Sequence, residues 1–229
     1  MAIVYSKSKK ARPAKLKERS GGFTLVEMLI VIAIFAVVAS VLLFQYSTFN
    51  TSIAVRDLAE EVGLSIRKAQ TYATSVRSVD GGGGILSDTF PAYGISFSTN
   101  TTAQQLYDPT VTNFTIFVDA SPASNKTTNN IFDNDGTCGA PAVNQECIEN
   151  FGITGGDKVQ SLSVINNAGA QTNATTVNVV FHRPNPDAVI CVPNGGACTL
   201  YSGVIITVVS PKNITRSVTI WNTGQIDVN

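Results

Sequence analysis

The feature that most constrains the fold is a largely apolar run from Phe23 to Phe44, in which Glu27 is the only charged residue. At about 1.5 Å of rise per residue, these 22 residues form a helix of about 33 Å. The hydrocarbon core of a bilayer is about 30 Å thick, so the run predicts a transmembrane helix. A carboxylate near the bilayer centre costs roughly 2.5–3.5 kcal/mol, and Glu27 therefore requires a functional explanation.

Residues 1–22 form a basic segment directly before this run. The segment holds seven Lys and Arg residues against one Glu, for a net charge of +6, whereas the rest of the neutral chain carries −6. Basic residues beside a membrane span remain in the cytoplasm, which predicts a single pass with the C-terminal part outside. A basic tail also suits nucleic acid, but the remainder of the chain has no basic patch, and we predict no specific nucleic-acid partner.

Two ordinary kinds of membrane-targeting segment fit this pattern less well. A secretory signal peptide has an apolar core of about 7–15 residues followed by its cleavage site, and the run here is longer than that. A plain signal anchor would explain the basic segment and the span, but it gives no role to Gly21, Gly22 or Glu27.

The order of Gly21-Gly22, Phe23-Thr-Leu-Val-Glu27 and the apolar run closely resembles the N-terminal signal of the type IV pilin and pseudopilin family. In that family a membrane peptidase cuts after the glycine and methylates the new N-terminus, and the glutamate guides filament assembly. The resemblance implies cleavage between Gly22 and Phe23, N-methylation of Phe23 and an assembly role for Glu27.

The same resemblance implies partners and a location. The partners are the prepilin peptidase, an inner-membrane assembly platform and other pilin or pseudopilin subunits. The expected location is the bacterial cytoplasmic membrane, with the N-terminus in the cytoplasm, followed by a periplasmic or extracellular filament.

After the span, apolar side chains recur every three or four residues, which is typical of an amphipathic helix. No proline interrupts residues 23–77, so we predict one helix of about 55 residues, on the order of 80 Å long. Arg56 and Glu60 are spaced to pair on its polar side. The apolar stripe that should pack on a following sheet consists of Val55, Leu58, Val62, Ile66, Ala69, Ala73 and Val76.

From Tyr93 onward the sequence predicts strands between polar loops. Gly203–Val209 is continuously apolar and is predicted as a central strand, and Asn222-Thr-Gly224 is predicted as a tight hairpin loop. The eight predicted strands are Tyr93–Ser98, Phe114–Asp119, Val159–Ile165, Thr176–His182, Ala188–Val192, Gly203–Val209, Ile214–Trp221 and Gln225–Val228.

The predicted fold class is therefore α+β, a long hydrophobic-then-amphipathic N-terminal helix packed on an antiparallel sheet, which is the pilin fold that the resemblance implies. Four parts follow: a leader at 1–22 that is removed, a transmembrane and filament-core helix at 23–44, its amphipathic continuation at 45–80, and a β-rich extracytoplasmic domain at 81–229. Gly81–Gly84 is read as a linker, because a phosphate-binding loop would need a following Lys-Ser/Thr.

Four cysteines lie in two close pairs, Cys138 with Cys147 and Cys191 with Cys198. Outside the cytoplasm such spacing favours two local disulfides, each worth roughly 2–3 kcal/mol on the chain-entropy model. A zinc site is the alternative, but the chain has no Cys-x-x-Cys and only one histidine, His182.

The longest irregular segment, predicted at 120–158, has Asp-Asn-Asp-Gly at 133–136. Alternating oxygen side chains before a glycine are typical of calcium loops, so Asp133 and Asp135 are candidate ligands. The loop lacks a glutamate at the twelfth position, and a polar surface turn is the alternative; no other cofactor is expected. More distant candidate ligands are Asp119, Glu146 and Glu149.

The sequence gives little basis for catalysis. It contains no Gly-x-Ser-x-Gly, no His-Glu-x-x-His and no nucleotide loop, and His182 is read as a residue at a sheet margin. We therefore expect no enzyme, but a structural subunit of a type IV pilus or pseudopilus, loosely similar to minor pilins and H-type pseudopilins. The alternative is a filament-tip adhesin or a DNA-binding minor pilin on the same anchor.

Overall fold

The computed structural model describes residues 21–75, 91–102, 107–119, 129–133, 138–139 and 146–229. The chain divides into two compact units between Gln45 and Tyr46. The predicted leader before residue 21, Val76 and the predicted linker Gly81–Gly84 lie outside the described residues.

The helix α1 covers Leu25–Thr74, as the unbroken apolar and amphipathic patterns predict. In the second unit its apolar stripe from Val55 to Ala73 is buried, at 6% exposure or less for each residue. Arg56 and Glu60 form the predicted pair, with 3.0 Å between Arg56 Nε and Glu60 Oε1.

Eleven strands follow within the described residues. They are β1 (Ala92–Ser98), β2 (Asn113–Asp119), β3 (Cys147–Gly152), β4 (Lys158–Ile165), β5 (Gln171–Ala174), β6 (Thr176–Phe181), β7 (Ala188–Asn194), β8 (Ala197–Tyr201), β9 (Gly203–Val209), β10 (Thr215–Trp221) and β11 (Ile226–Val228). All eight predicted strands are present.

The strands form two antiparallel sheets. One has six strands in the order β3-β2-β1-β6-β7-β8, and the other has five in the order β11-β10-β9-β4-β5. The central position predicted for β9 is confirmed. The hairpin between β10 and β11 is also confirmed, and Gly224 in its loop has a φ of +78°, a conformation that glycine adopts without steric cost.

One hydrophobic core joins the helix to both sheets. It combines the α1 stripe with the inward-facing side chains of β1, β2, β6 and β7 from the first sheet and of β4, β9 and β10 from the second. Among its largest fully buried side chains are Tyr93, Phe97, Phe114 and Phe181. The α+β class is thus confirmed, and the helix packs on two sheets where one was predicted.

Three strands were missed, and each lies at or near a sheet edge. The strand β3 falls inside the segment predicted to be irregular at 120–158, which is a correction to that prediction. The strands β5 and β8 are largely exposed. An edge strand needs no continuous apolar face, so these sequences lack the alternation that marks a half-buried strand.

Candidate functional site

The helix α1 begins at Leu25, and two residues separate it from the glycine pair. Residues 21–24 have no regular structure, and Thr24 caps the helix: its Oγ1 accepts the backbone N–H of Glu27 at 3.2 Å, and its carbonyl oxygen accepts that of Met28 at 3.2 Å. Thr24 and Glu27 have the spacing of a capping box, in which an N-cap threonine precedes a glutamate by three residues. This role was not predicted, although Thr-x-x-Glu before an apolar run is its sequence signal.

Glu27 therefore lies in the first turn of α1. Backbone N–H groups at a helix N-terminus carry partial positive charge, and a carboxylate there stabilises the helix. This local effect explains an acidic residue at the start of an ordinary helix. It does not explain an acidic residue at the start of a helix that spans a membrane.

The glycine pair has no packing role among the described residues. A Cβ added at Gly21 or Gly22 would meet no atom within 4 Å, and the following Phe23 is 76% exposed. The described residues therefore give no packing reason for glycine at either position.

The segment Leu25–Leu43 is the one stretch of the described residues long and apolar enough to cross a membrane. Its 19 residues span about 28 Å as a helix, and none of its side chains is buried. The described part of the chain thus contains a membrane-spanning candidate that begins two residues after the predicted cleavage position.

The calcium prediction can be compared with the structure only in part, since Asp135 lies outside the described residues. The backbone N–H of Asp133 donates to Glu146 Oε2 at 2.6 Å, and Glu149 instead binds Lys68. Within the described ranges, no group of three or more His, Cys, Asp or Glu side chains is placed to hold a metal ion. Calcium binding therefore stays a prediction from the sequence.

Asp119, another of the more distant candidate calcium ligands, is fully buried and holds the segment 129–133. Its two carboxylate oxygens accept the backbone N–H groups of Asn129 at 3.2 Å and Asn130 at 2.8 Å. Burial raises the pKa of Asp119 above its usual value; these two hydrogen bonds and the charge of His182 oppose the rise, and the charge of Asp133 adds to it.

His182 lies one residue beyond β6, so the predicted strand ends one residue earlier than expected. Its Nε2 is 2.6 Å from Asn130 Oδ1. The side chain thus contributes to the contacts that fix the segment 129–133.

The structure contains the disulfides Cys138–Cys147 and Cys191–Cys198. The first joins Cys138 to Cys147 at the start of β3, and the second joins Cys191 of β7 to Cys198 of β8. Both close short loops within the β-rich unit.

Comparison with known proteins identifies the N-terminal part of the chain. Residues 18–43 match the family described as the prokaryotic N-terminal methylation motif. No curated protein and no solved structure matches the chain. The matched residues include the glycine pair, the capped start of α1 and Glu27, and they show that the chain carries the N-terminal signal of type IV pilins and pseudopilins, which supports a pilin-like protein.

Proposed function

We propose that the chain is a structural subunit of a type IV pilus or a secretion pseudopilus, cut between Gly22 and Phe23 by the prepilin peptidase and methylated on Phe23. The observation that carries this proposal is the methylation motif at 18–43, together with an apolar helix that has Glu27 in its first turn. The exposed backbone at Gly21 and Gly22 suits entry into a peptidase site.

Cleavage changes the charge of the chain at the membrane. It removes a leader with a net charge of +6, which anchors the N-terminus on the cytoplasmic side, and it leaves a cationic amine on Phe23. The processed subunit then has one positive and one negative group at the start of an otherwise uncharged span.

In a bundle of apolar helices, Glu27 of one subunit can neutralise the Phe23 amine of its neighbour. An unpaired charge in a medium of low dielectric constant costs far more than a matched and hydrogen-bonded pair. The pair therefore favours one axial register between neighbouring helices over non-specific association of apolar surfaces.

The first test replaces Glu27 with glutamine in a bacterium that assembles filaments from this chain. Glutamine can still occupy the third position of a capping box, so the helix start is preserved while the charge is lost. We expect mass spectrometry to show a normal N-terminus at Phe23. The amount of subunit in the sheared filament fraction should fall at least about tenfold, because breaking a buried pair costs about 3–5 kcal/mol.

The matched control is Glu60→Gln, which removes an exposed carboxylate from the same helix. Among the described residues, Glu60 pairs with Arg56 at the surface, a contact worth about 0.3–0.5 kcal/mol, so filament yield should be unchanged. Wild-type filament yield from Glu27→Gln would refute the assembly role. A wild-type chain that does not begin at Phe23 would refute the assigned cleavage site.

Imaging of tagged filaments would show where the subunit lies in the filament. A tag on the β-rich unit should label the shaft if the chain is a bulk subunit. A single spot at one end would instead support the tip adhesin or DNA-binding minor pilin.

A further inference from the structure

A cavity of about 340 Å³ lies on the outer face of the six-stranded sheet. Its floor is formed by side chains of β1 and β6 that point away from the core, with Ser96 opposite Asn178 and Ser98 opposite Thr176 in the strand register. The intervening residues of both strands belong to the hydrophobic core. This part of the sheet is therefore apolar on one face and covered by hydroxyl and amide groups on the other.

Two polar atoms of the floor are buried without a hydrogen-bond partner among the described residues. They are Ser96 Oγ and Asn178 Oδ1, and each residue is only 1% exposed. A buried polar atom with no partner destabilises the fold, and the large majority of buried polar side-chain atoms have one. A group that enters the cavity and supplies the missing hydrogen bonds would recover part of this free energy.

One wall of the cavity comes from the segment 129–133, which contributes Ile131 and Phe132. The segment is held by the buried Asp119 and Glu146, which accept three of its backbone N–H groups. The Phe132 ring packs on Phe117 of β2, with 5.4 Å between the ring centroids. These contacts fix the position of an aromatic ring at the edge of a polar floor.

A second part of the wall includes Asp108 and Pro109, and it is also held to the sheet. Asn113 Nδ2 donates to the carbonyl oxygen of Asp108 at 2.8 Å, and Thr115 Oγ1 donates to that of the preceding Tyr107 at 3.0 Å. Both walls are thus preorganised, which lowers the entropy that a ligand loses on binding.

The chemistry of the lining points to a neutral, hydroxyl-rich ligand. Asp108 is the one charged residue among the described lining residues, which include no Lys, Arg or His, so an anion has no cationic partner there. The serine, threonine and asparagine side chains both donate and accept hydrogen bonds, while Phe132 and the ring of Pro193 offer apolar surfaces. A sugar ring combines hydroxyl edges with a C–H face in this way.

We propose that this cavity binds a neutral sugar residue, with a sugar hydroxyl or a bridging water hydrogen-bonded to Ser96 and Asn178. Asn178 Nδ2 makes a long hydrogen bond of 3.4 Å to the carbonyl oxygen of Asn130, so the amide can turn toward a ligand at little cost. A pocket of several hundred Å³ with a few convergent polar groups is the usual form of a small-molecule site. Such a site gives the exported unit a recognition role that filament assembly does not require.

The test uses the full chain in dodecylphosphocholine micelles, a detergent without a sugar headgroup, and saturation-transfer NMR with glucose, galactose, mannose and N-acetylglucosamine. We expect at least one of these sugars to bind. Ser96→Ala should raise its Kd by about three- to tenfold, the range expected for one hydrogen bond. Thermal stability should be unchanged or higher, because the lost hydroxyl has no partner among the described residues. Asn178→Leu, which replaces the amide with an apolar group of similar size, should weaken binding further.

The matched control is Ser163→Ala on the other sheet, where the half-buried Ser163 donates from its Oγ to Asn173 Oδ1 at 3.0 Å. This variant should bind the sugar as the wild type does. The proposal is overturned if none of the four sugars binds, or if Ser96→Ala and Ser163→Ala have the same Kd. Loss of stability in Ser96→Ala without sugar binding to the wild type would show a structural water in the cavity and would also overturn it.

Discussion

The contact between Lys68 on α1 and Glu149 on the edge strand β3 gives a quantitative test of how the helix is joined to the six-stranded sheet. Lys68 Nζ donates to both carboxylate oxygens of Glu149, at 2.7 and 2.6 Å. It also lies 5.7 Å from the ring centroid of Tyr72 and 5.5 Å from that of Phe151. One ammonium group thus connects the helix to an edge strand that the sequence did not predict.

The size of the effect follows from exposure, since the Lys68 and Glu149 side chains are 38% and 36% exposed. Ion pairs near the surface are worth about 0.2–1 kcal/mol, and the two-oxygen geometry places this pair at the upper end. Cation–π contacts at exposed sites add about 0.5–1 kcal/mol. We therefore expect Lys68→Met, which keeps the aliphatic part of the side chain, to lower the free energy of unfolding by about 1–2 kcal/mol. In a unit of this size, that corresponds to a fall in Tm of about 3–6 °C.

The pH dependence has a definite sign. The hydrogen bond and charge of Glu149 raise the pKa of Lys68 above 10.5, despite an opposing effect of burial. A group with a raised folded-state pKa contributes stability that is fully present below the unfolded value and is lost as the pH rises through the folded value. The difference in stability between wild type and Lys68→Met should therefore persist from neutral pH to about pH 10 and disappear at higher pH.

The assay is urea unfolding of the full chain in detergent micelles, followed by circular dichroism, for a double-mutant cycle of Lys68→Met and Glu149→Gln. We expect a coupling energy of about 1 kcal/mol. The matched cycle is Arg56→Met with Glu60→Gln, whose side chains are 68% and 51% exposed and whose coupling should be about 0.3–0.5 kcal/mol. Equal coupling in the two cycles, or a Lys68→Met effect that persists at high pH, would refute the reasoning.

Two further changes probe the six-stranded sheet in the same unfolding assay. Gly94→Ala should destabilise the chain by about 1–3 kcal/mol, because the new Cβ would lie 2.6 Å from the Phe117 ring. The control Gly152→Ala should cost little, since its new Cβ would meet no atom within 4 Å. Equal costs for the two variants would contradict this explanation. Asp119→Asn should lower stability by about 1–3 kcal/mol at acid pH, because the amide nitrogen cannot accept one of the two backbone N–H groups of the segment 129–133. Burial raises the folded-state pKa of Asp119, so its stabilising contribution is greatest below pH 3.8 and is lost as the pH rises through the raised pKa. The stability advantage of the wild type over Asp119→Asn should therefore shrink between acid and neutral pH. An advantage that grows over this range would contradict the raised pKa.

The helix and the central strands could be predicted because burial imposes a period on their sequences. The stripe from Val55 to Ala73 repeats every three or four residues and is buried throughout, and the continuously apolar Gly203–Val209 is the middle strand of its sheet. The edge strand β3 could not be predicted this way. Its sequence includes Glu149, which contributes through an ion pair to the helix and not through an apolar face.

The N-terminal signal could be predicted from the sequence because it consists of neighbouring residues in a fixed order. The cavity was not, because Ser96 and Asn178 lie 82 positions apart and meet only through the pairing of β1 with β6. Serines and asparagines are frequent throughout this chain, and nothing in their local sequence marks these two. Only the register of the sheet identifies them.

The outermost strands affect how readily one copy of the chain could pair with another when many copies lie side by side. An unpaired sheet edge can recruit a strand from a neighbouring molecule, and short strands limit this risk. Among the described strands, β11 and β5 end their sheet with three and four residues, and β3 is partly covered by its contact with the helix. The edge most open to unwanted strand pairing is thus β8, where Leu200 is 64% exposed, and the disulfide that ties β8 to its neighbour guards against exchange of this strand between molecules.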